Sequence, residues 1–428
     1  MLCLPQLTRG LSAGLGPRAA PSHCPHPCST PASRAGVTFP PPLLGMFAII
    51  AALLLIESRA GTPTVERLAA SVAPAVNWIG TWLPLFYVPS LVTLPLALRA
   101  LPGALLLKVT GLLCVGWLAS LLFAAVITVR IREATRVELL PVPPVAKSAG
   151  FGTAHTIGWT AVAGCSVAAL LLAPDSHTAL HLFLLASTIC GFLGGSALPA
   201  KVQRVLHPLI ACGLVANAAA AAAGAITGQG YDAILGAYLT KGKAGAALGA
   251  GDWLMAFLHS VILSFGFRVF AQRALMRRHF AEIMGCVLSS SLFGMAITCV
   301  AGAGLGLPET ITMALAPRSV TVALALPIAA LLGSQALASI TAAAVMLTGL
   351  LGANFAQPVL TAFGFTDPVV RGLATASSAH GLGTAALAAK EPEALPMAAL
   401  AYATMGVVSS LLVTLPQVRA ALMALAML

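Results

Sequence analysis

The sequence predicts an all-α polytopic membrane protein with about 11–12 transmembrane helices. Three observations predict it. Apolar runs of membrane length recur along most of the chain, and a spanning helix needs roughly 20 mainly apolar residues. Charge is scarce: only 8% of the 428 residues are Asp, Glu, Lys or Arg, while 59% are hydrophobic. The loops between the runs alternate in charge, as the positive-inside rule expects.

The runs give candidate spans at 42–56, 76–98, 104–129, 153–173, 178–198, 207–226, 252–270, 280–304, 310–333, 335–363 and 396–426. Segment 372–389 is apolar but rich in Ser and Gly, and it reads as a broken or re-entrant element. Loops 130–150 (Arg130, Arg132, Arg136, Lys147), 199–206 (Lys201, Arg204) and 271–279 (Arg273, Arg277, Arg278) are basic. The turns between them at 174–177 and 305–309 carry Asp175 and Glu309 instead. The basic loops therefore face the cytoplasm-like side. The net charge of +11 is explained by these loops, so no nucleic acid is expected as a partner.

The chain divides into four parts. Residues 1–37 hold Arg9, Arg18, Arg34 and several Ser, with no acidic residue before Glu57. Arg- and Ser-rich, acid-poor N-termini read as organellar transit peptides. Within this part His23, Cys24, His26 and Cys28 form a Pro-broken cluster, and no metal is assigned to it. A first membrane segment covers 38–130. Residues 131–150 contain Pro141–Pro144 (PVPP) and read as a linker, and 151–428 form the larger C-terminal half. In WLPLFYVPSLVTLPL, Pro84, Pro89 and Pro95 forbid an undisturbed helix.

The C-terminal half reads as an inverted repeat. Residues 207–229 and 326–350 share small-residue runs ending on Thr-Gly, and each is followed by a glycine-rich polar element: GAGDWLM (249–255) and SSAHGLGTA (377–385). Paired interrupted segments are the best sequence pointer to a transporter binding site. Ionisable groups inside spans are costly and mark function by default. Asp252 follows Gly249, Ala250 and Gly251, and it can cap the next helix or serve proton coupling or a polar cavity. Ser377, Ser378, His380, Gly381, Gly383 and Thr384 form the densest polar run, suited to holding a small hydroxylated carboxylate. Arg318, with Ser319 and Thr321, can grip a carboxylate bidentately or snorkel to an interface. Lys390, Glu391 and Glu393 close the polar run, as ion pairs or as a cap.

The stretches HPLIACGL, YLTKGKAGAALGAGDWLM, RALMRRHFAEI, PRSVTVALALPIA and ATASSAHGLGTAALAAKEPEALP resemble the LrgB/CidB family of membrane proteins. Segment 42–130, with WLPLFYVPSLVTLPL, resembles LrgA/CidA. The resemblance implies an LrgA–LrgB fusion carrying glycolate outward and glycerate inward across the chloroplast inner envelope, in photorespiration. It implies no cofactor and no catalytic residue. The departure is at the start: the family's LrgA-like half has one more span before Leu43–Ile50, and 1–37 holds none. A holin-like or envelope-remodelling role is the competing expectation. An intramembrane enzyme is disfavoured, since no HExxH, GxSxG or paired catalytic Asp occurs in the spans. Membrane lipid is the obligate surrounding partner. Protons as a coupling ion and a homo-oligomer as the assembly are both left open by the residues.

Overall fold

The computed structural model describes residues 41–99, 101–138, 151–203, 206–241 and 247–428. The transit-like segment, the His23–Cys28 cluster and the linker from 139 to 150 lie outside them. Among the described residues every regular element is a helix.

The first segment holds α1 (Pro41–Ala60), α2 (Thr62–Phe86), α3 (Val88–Val92), α4 (Leu94–Leu98) and α5 (Gly103–Thr135). The proline-rich stretch breaks as expected, at Tyr87 and Thr93, where Pro89 and Pro95 open the next helix at positions whose N–H would be unbonded anyway. Then come α6 (Thr153–Leu172), α7 (His177–Ala197), the short α8 (Ala200–Gln203), α9 (Pro208–Thr227), α10 (Tyr231–Tyr238), α11 (Ala250–Ala256), α12 (Leu258–Ala271) and α13 (Arg273–Arg278). The chain ends with α14 (Phe280–Gly304), α15 (Glu309–Leu315), α16 (Val322–Leu331), α17 (Ala338–Ala362), α18 (Pro368–Lys390), α19 (Leu395–Thr414) and α20 (Pro416–Ala426). The expected span 396–426 is thus two helices, because Pro416 starts a new one. Ten units among the described residues are long and apolar enough to cross a membrane. Large apolar side chains such as Leu107, Val115 and Leu172 point outward, as lipid-facing residues do.

Two further units enter the membrane without crossing it. In α18, Arg371 Nε donates to Glu391 Oε2 at 2.7 Å although the residues are 20 apart. In a straight helix they would stand about 30 Å apart. The helix must fold back, and it does so where Ala379 and His380 leave helical geometry. Likewise Ser334 Oγ donates to Thr310 O at 2.7 Å across 24 residues, against about 36 Å for a straight rod. So α15 and α16 form a second hairpin, turning through Ala316–Thr321. The expected span 310–333 is therefore re-entrant, and the described residues hold ten candidate crossings plus two hairpins.

The hairpins enter from opposite faces. Arg132, at the end of α5, bonds Asp367 at the start of α18 (2.9 Å) and Glu282 at the start of α14 (2.6 Å). This places the mouth of the α18 hairpin on the basic side. Lys108, at the other end of α5, donates to Leu305 O at 2.6 Å beside the mouth of the α15–α16 hairpin. The repeat is inverted, but its register differs from the one expected. α14 and α17 each have 25 residues. α18 has 23 residues, and Glu309 to Leu331 covers the same number. The unit is thus one span plus one hairpin, 280–331 followed by 338–390. Residues 207–229 hold one continuous helix, Pro208–Thr227, whereas 326–350 straddles the end of α16 and the start of α17.

Candidate functional site

The two hairpin tips both reach deep into the bundle, against α5, α14 and α19. Arg318 sits at the first tip with no exposed surface. Its Nε donates to Thr298 Oγ1 on α14 (3.0 Å), and its Nη2 donates to Ser120 Oγ on α5 (2.9 Å). Ser120 is 12 residues from both Lys108 and Arg132, about 18 Å each way along the helix. The guanidinium is thus near mid-membrane and does not snorkel. Its Nη1 has no hydrogen-bond partner, and it forms no ion pair among the described residues. A buried charge without a counter-charge costs several kcal/mol. Beside it the buried Ser319 Oγ is also unpartnered, near Gly294 of α14.

At the second tip His380 adopts φ 44° and ψ −142°, a backbone region that favours glycine and costs a side chain on the order of 1–3 kcal/mol. Its Nε2 pairs with Val345 O at 2.9 Å. Gly349 is bare beneath the ring: a methyl there would come 2.7 Å from Nε2. If Nε2 donates to the carbonyl, the neutral ring keeps Nδ1 as an acceptor. The buried Thr375 Oγ1 on the entering arm is unpartnered. Ser378 and Thr384 bond their own backbone, to Ala374 O (2.8 Å) and His380 O (2.9 Å). Ser377 faces Cys286 Sγ at 3.7 Å.

Helix α19 joins the tips. A methyl on Gly381 would lie 3.0 Å from the Tyr402 ring, and the Tyr402 hydroxyl interacts with the Thr321 side chain. One turn on, Gly406 packs against Val320 and Leu324 of the first hairpin. The start of α16 at Thr321 has no side-chain cap. The start of the returning arm of α18 at Gly381 approaches the same tyrosine. Two half-helix N-termini therefore approach the same tyrosine, and a helix N-terminus carries partial positive charge. With Arg318 beside them, the arrangement suits one small anion.

Nine of the ten residues singled out in the sequence thus lie at the tips. Asp252 does not. It opens α11, and its carboxylate accepts from Thr240 N (2.9 Å), Thr240 Oγ1 (2.8 Å), Lys241 N (3.0 Å) and Gly249 N (2.9 Å). It clips the preceding loop to the helix start. Asp252 also borders a cavity of about 560 Å³ that runs past Lys241, His259 and Ser334 to Ala323, two residues beyond Thr321. This is a vestibule from the acidic side toward the first tip. Asp252→Asn replaces one acceptor oxygen with a donor facing other donors. It is expected to lower the unfolding temperature in detergent, by a loss of about 1–3 kcal/mol. An unchanged melting curve would show that the clip bears no strain.

Sequence reasoning missed Trp117 and Ser120 on α5, Thr298 on α14 and Tyr402 on α19. One signal was legible: Cys286, Ser290, Gly294 and Thr298 recur every fourth residue within an apolar span, a polar stripe on one helix face. It runs along α14 from Ser377 to Arg318.

Among the described residues, ten helices of crossing length, two opposed re-entrant hairpins and a buried cationic group between them define a membrane protein of the transporter class. The model of the LrgB-like family matches residues 188–417, and this chain belongs to that family. It is 46% identical over 396 residues to plastidal glycolate/glycerate translocator 1, chloroplastic, of Arabidopsis thaliana, covering 91% of this chain and 76% of the relative. It is 27% identical over 164 residues to antiholin-like protein LrgB of Bacillus subtilis, covering 38% of this chain and 70% of that one. No solved structure gives a significant match.

Proposed function

We propose that this chain is a secondary carrier of small 2-hydroxycarboxylates, exchanging glycolate for glycerate across the chloroplast inner envelope. The observation that carries it is the buried, unpaired Arg318 guanidinium between two re-entrant tips, in a chain 46% identical to a translocator named for those acids. Arg318 takes the carboxylate. Ser319, Thr321 and the N–H groups at Gly381 and Gly383 complete its cradle. His380, with Ser377, Ser378 and Thr384 shaping its turn, accepts from the hydroxyl or carries a coupling proton. Asp252 serves the vestibule. The domain reading follows: 1–37 a transit peptide, 38–130 an LrgA-like unit, 131–150 a linker and 151–428 the transport unit.

Liposomes containing the full chain and preloaded with glycerate are expected to take up labelled glycolate, saturably and faster than liposomes without internal glycerate. Uptake no greater than in protein-free liposomes would rule the carrier out. The Bacillus relative's name keeps a pore-related reading in view. The same vesicles decide it: a pore releases trapped dye without saturation, and a carrier retains it. Repeating the exchange across pH shows whether protons move with the acids.

A further inference from the structure

The family match begins at residue 188, so it gives no reason to place α5 at the site. The geometry does. Gly116 and Ser120, four residues apart on α5, share the face that meets Arg318, and Trp117 between them turns toward α17 and the tip of α18. Ser120 Oγ accepts from Arg318 Nη2 at 2.9 Å. A methyl at Gly116 would stand 2.9 Å from that same nitrogen, so the bare glycine admits the guanidinium. Trp117 is 5% exposed, and its indole N–H has no partner. A methyl added at Gly352 would stand 3.5 Å from the indole nitrogen and directly against Ala379, the residue before His380. The indole is therefore wedged where the second tip meets α5, next along the helix from the glycine that admits Arg318. Leaving a buried N–H unbonded costs about 1–3 kcal/mol, and tryptophan normally finds a partner when buried.

Resting on the carrier reading, we infer that α5 is a working wall of the substrate site: Ser120 positions Arg318, and Trp117 donates to the substrate's hydroxyl and so sets specificity. The ligand class this selects is a two- or three-carbon carboxylate with a hydroxyl on the neighbouring carbon. The N–H reads the hydroxyl while the guanidinium holds the carboxylate. A site built to bond a hydroxyl rejects the analogue lacking it, because the site's own polar group is then left unpaired.

The test uses the full chain in liposomes and compares glycolate with acetate, which lacks only the hydroxyl. Trp117→Phe keeps the buried ring and removes the N–H. It is expected to raise the KM for glycolate about tenfold and to leave competition by acetate unchanged, so the preference for glycolate falls by that factor. Ser120→Ala is expected to weaken both acids alike, as a positioning residue would. If Trp117→Phe leaves the glycolate-to-acetate ratio at the wild-type value, through no effect or through equal loss for both, the inference is overturned. Trp117→Tyr, with its hydroxyl donor displaced, gives the same reading if the Phe variant fails to accumulate. Absence of transport by the wild type would instead overturn the carrier reading itself.

Discussion

Arg318→Gln is expected to lower glycolate exchange by on the order of a hundredfold or more while the protein still inserts and resists heat at least as well as before. Losing one partner of a buried, hydrogen-bonded charge pair costs about 2–5 kcal/mol of binding, and here the other partner is the bound carboxylate. The stability change has the opposite sign. Without substrate the guanidinium is buried and unpaired, so a neutral side chain relieves a desolvation cost. Gln can still donate to Ser120 or Thr298. Arg318→Lys keeps the charge but not the planar fork, and is expected to recover little of the transport. The measurements are exchange in liposomes and unfolding in detergent with and without glycolate. Glycolate should raise the wild-type unfolding temperature and leave that of Arg318→Gln unmoved. A variant that transports normally would dismiss Arg318 as the anchor.

The second large effect lies at the mouth of the α18 hairpin. Arg371 and Glu391 are nearly buried and form a two-pronged pair. Arg371 also donates to Phe365 O (2.7 Å), Thr361 Oγ1 (3.2 Å) and Gln357 O (3.3 Å). Arg371→Ala strands the Glu391 carboxylate and three further acceptors, at a cost of about 3–5 kcal/mol. Glu391→Gln removes one charge, but Arg371 keeps its other acceptors. The arginine variant should therefore show the larger drop in both melting temperature and exchange rate. A charge-swapped double variant should not restore either, because glutamate at 371 would face carbonyl oxygens. Equal losses in the two single variants would mean that only the ion pair matters.

Much of this architecture was legible in the sequence. Span limits came from apolar runs, and 280–304 coincides with α14. The hairpin at 368–390 betrayed itself through Ser, Gly and His, which no lipid-facing helix gathers. The other hairpin was hidden. Its arms have 7 and 10 residues, and placed end to end they read as one apolar run of membrane length. Only the fold-back bond from Ser334 to Thr310 separates a hairpin from a crossing. The repeat was sensed in the right half and placed in the wrong register, since alanine-rich helices resemble one another wherever they lie. Arg318 illustrates the limit from the other side. Its residue type was informative, but whether it reached an interface or stayed at mid-depth depended on Ser120, nearly 200 residues away.

The matched lengths of the two span-plus-hairpin units have a consequence for direction. Each half is built to do at one face what its counterpart does at the other, so exchanging their conformations turns the molecule's access around without requiring a new kind of state. The opposite-facing form can be sketched by giving residues 280–331 the shape now held by 338–390, and the reverse. For the carrier proposed above, net direction is then expected to follow the concentrations on either side, and reversing the gradients across liposomes should reverse the exchange.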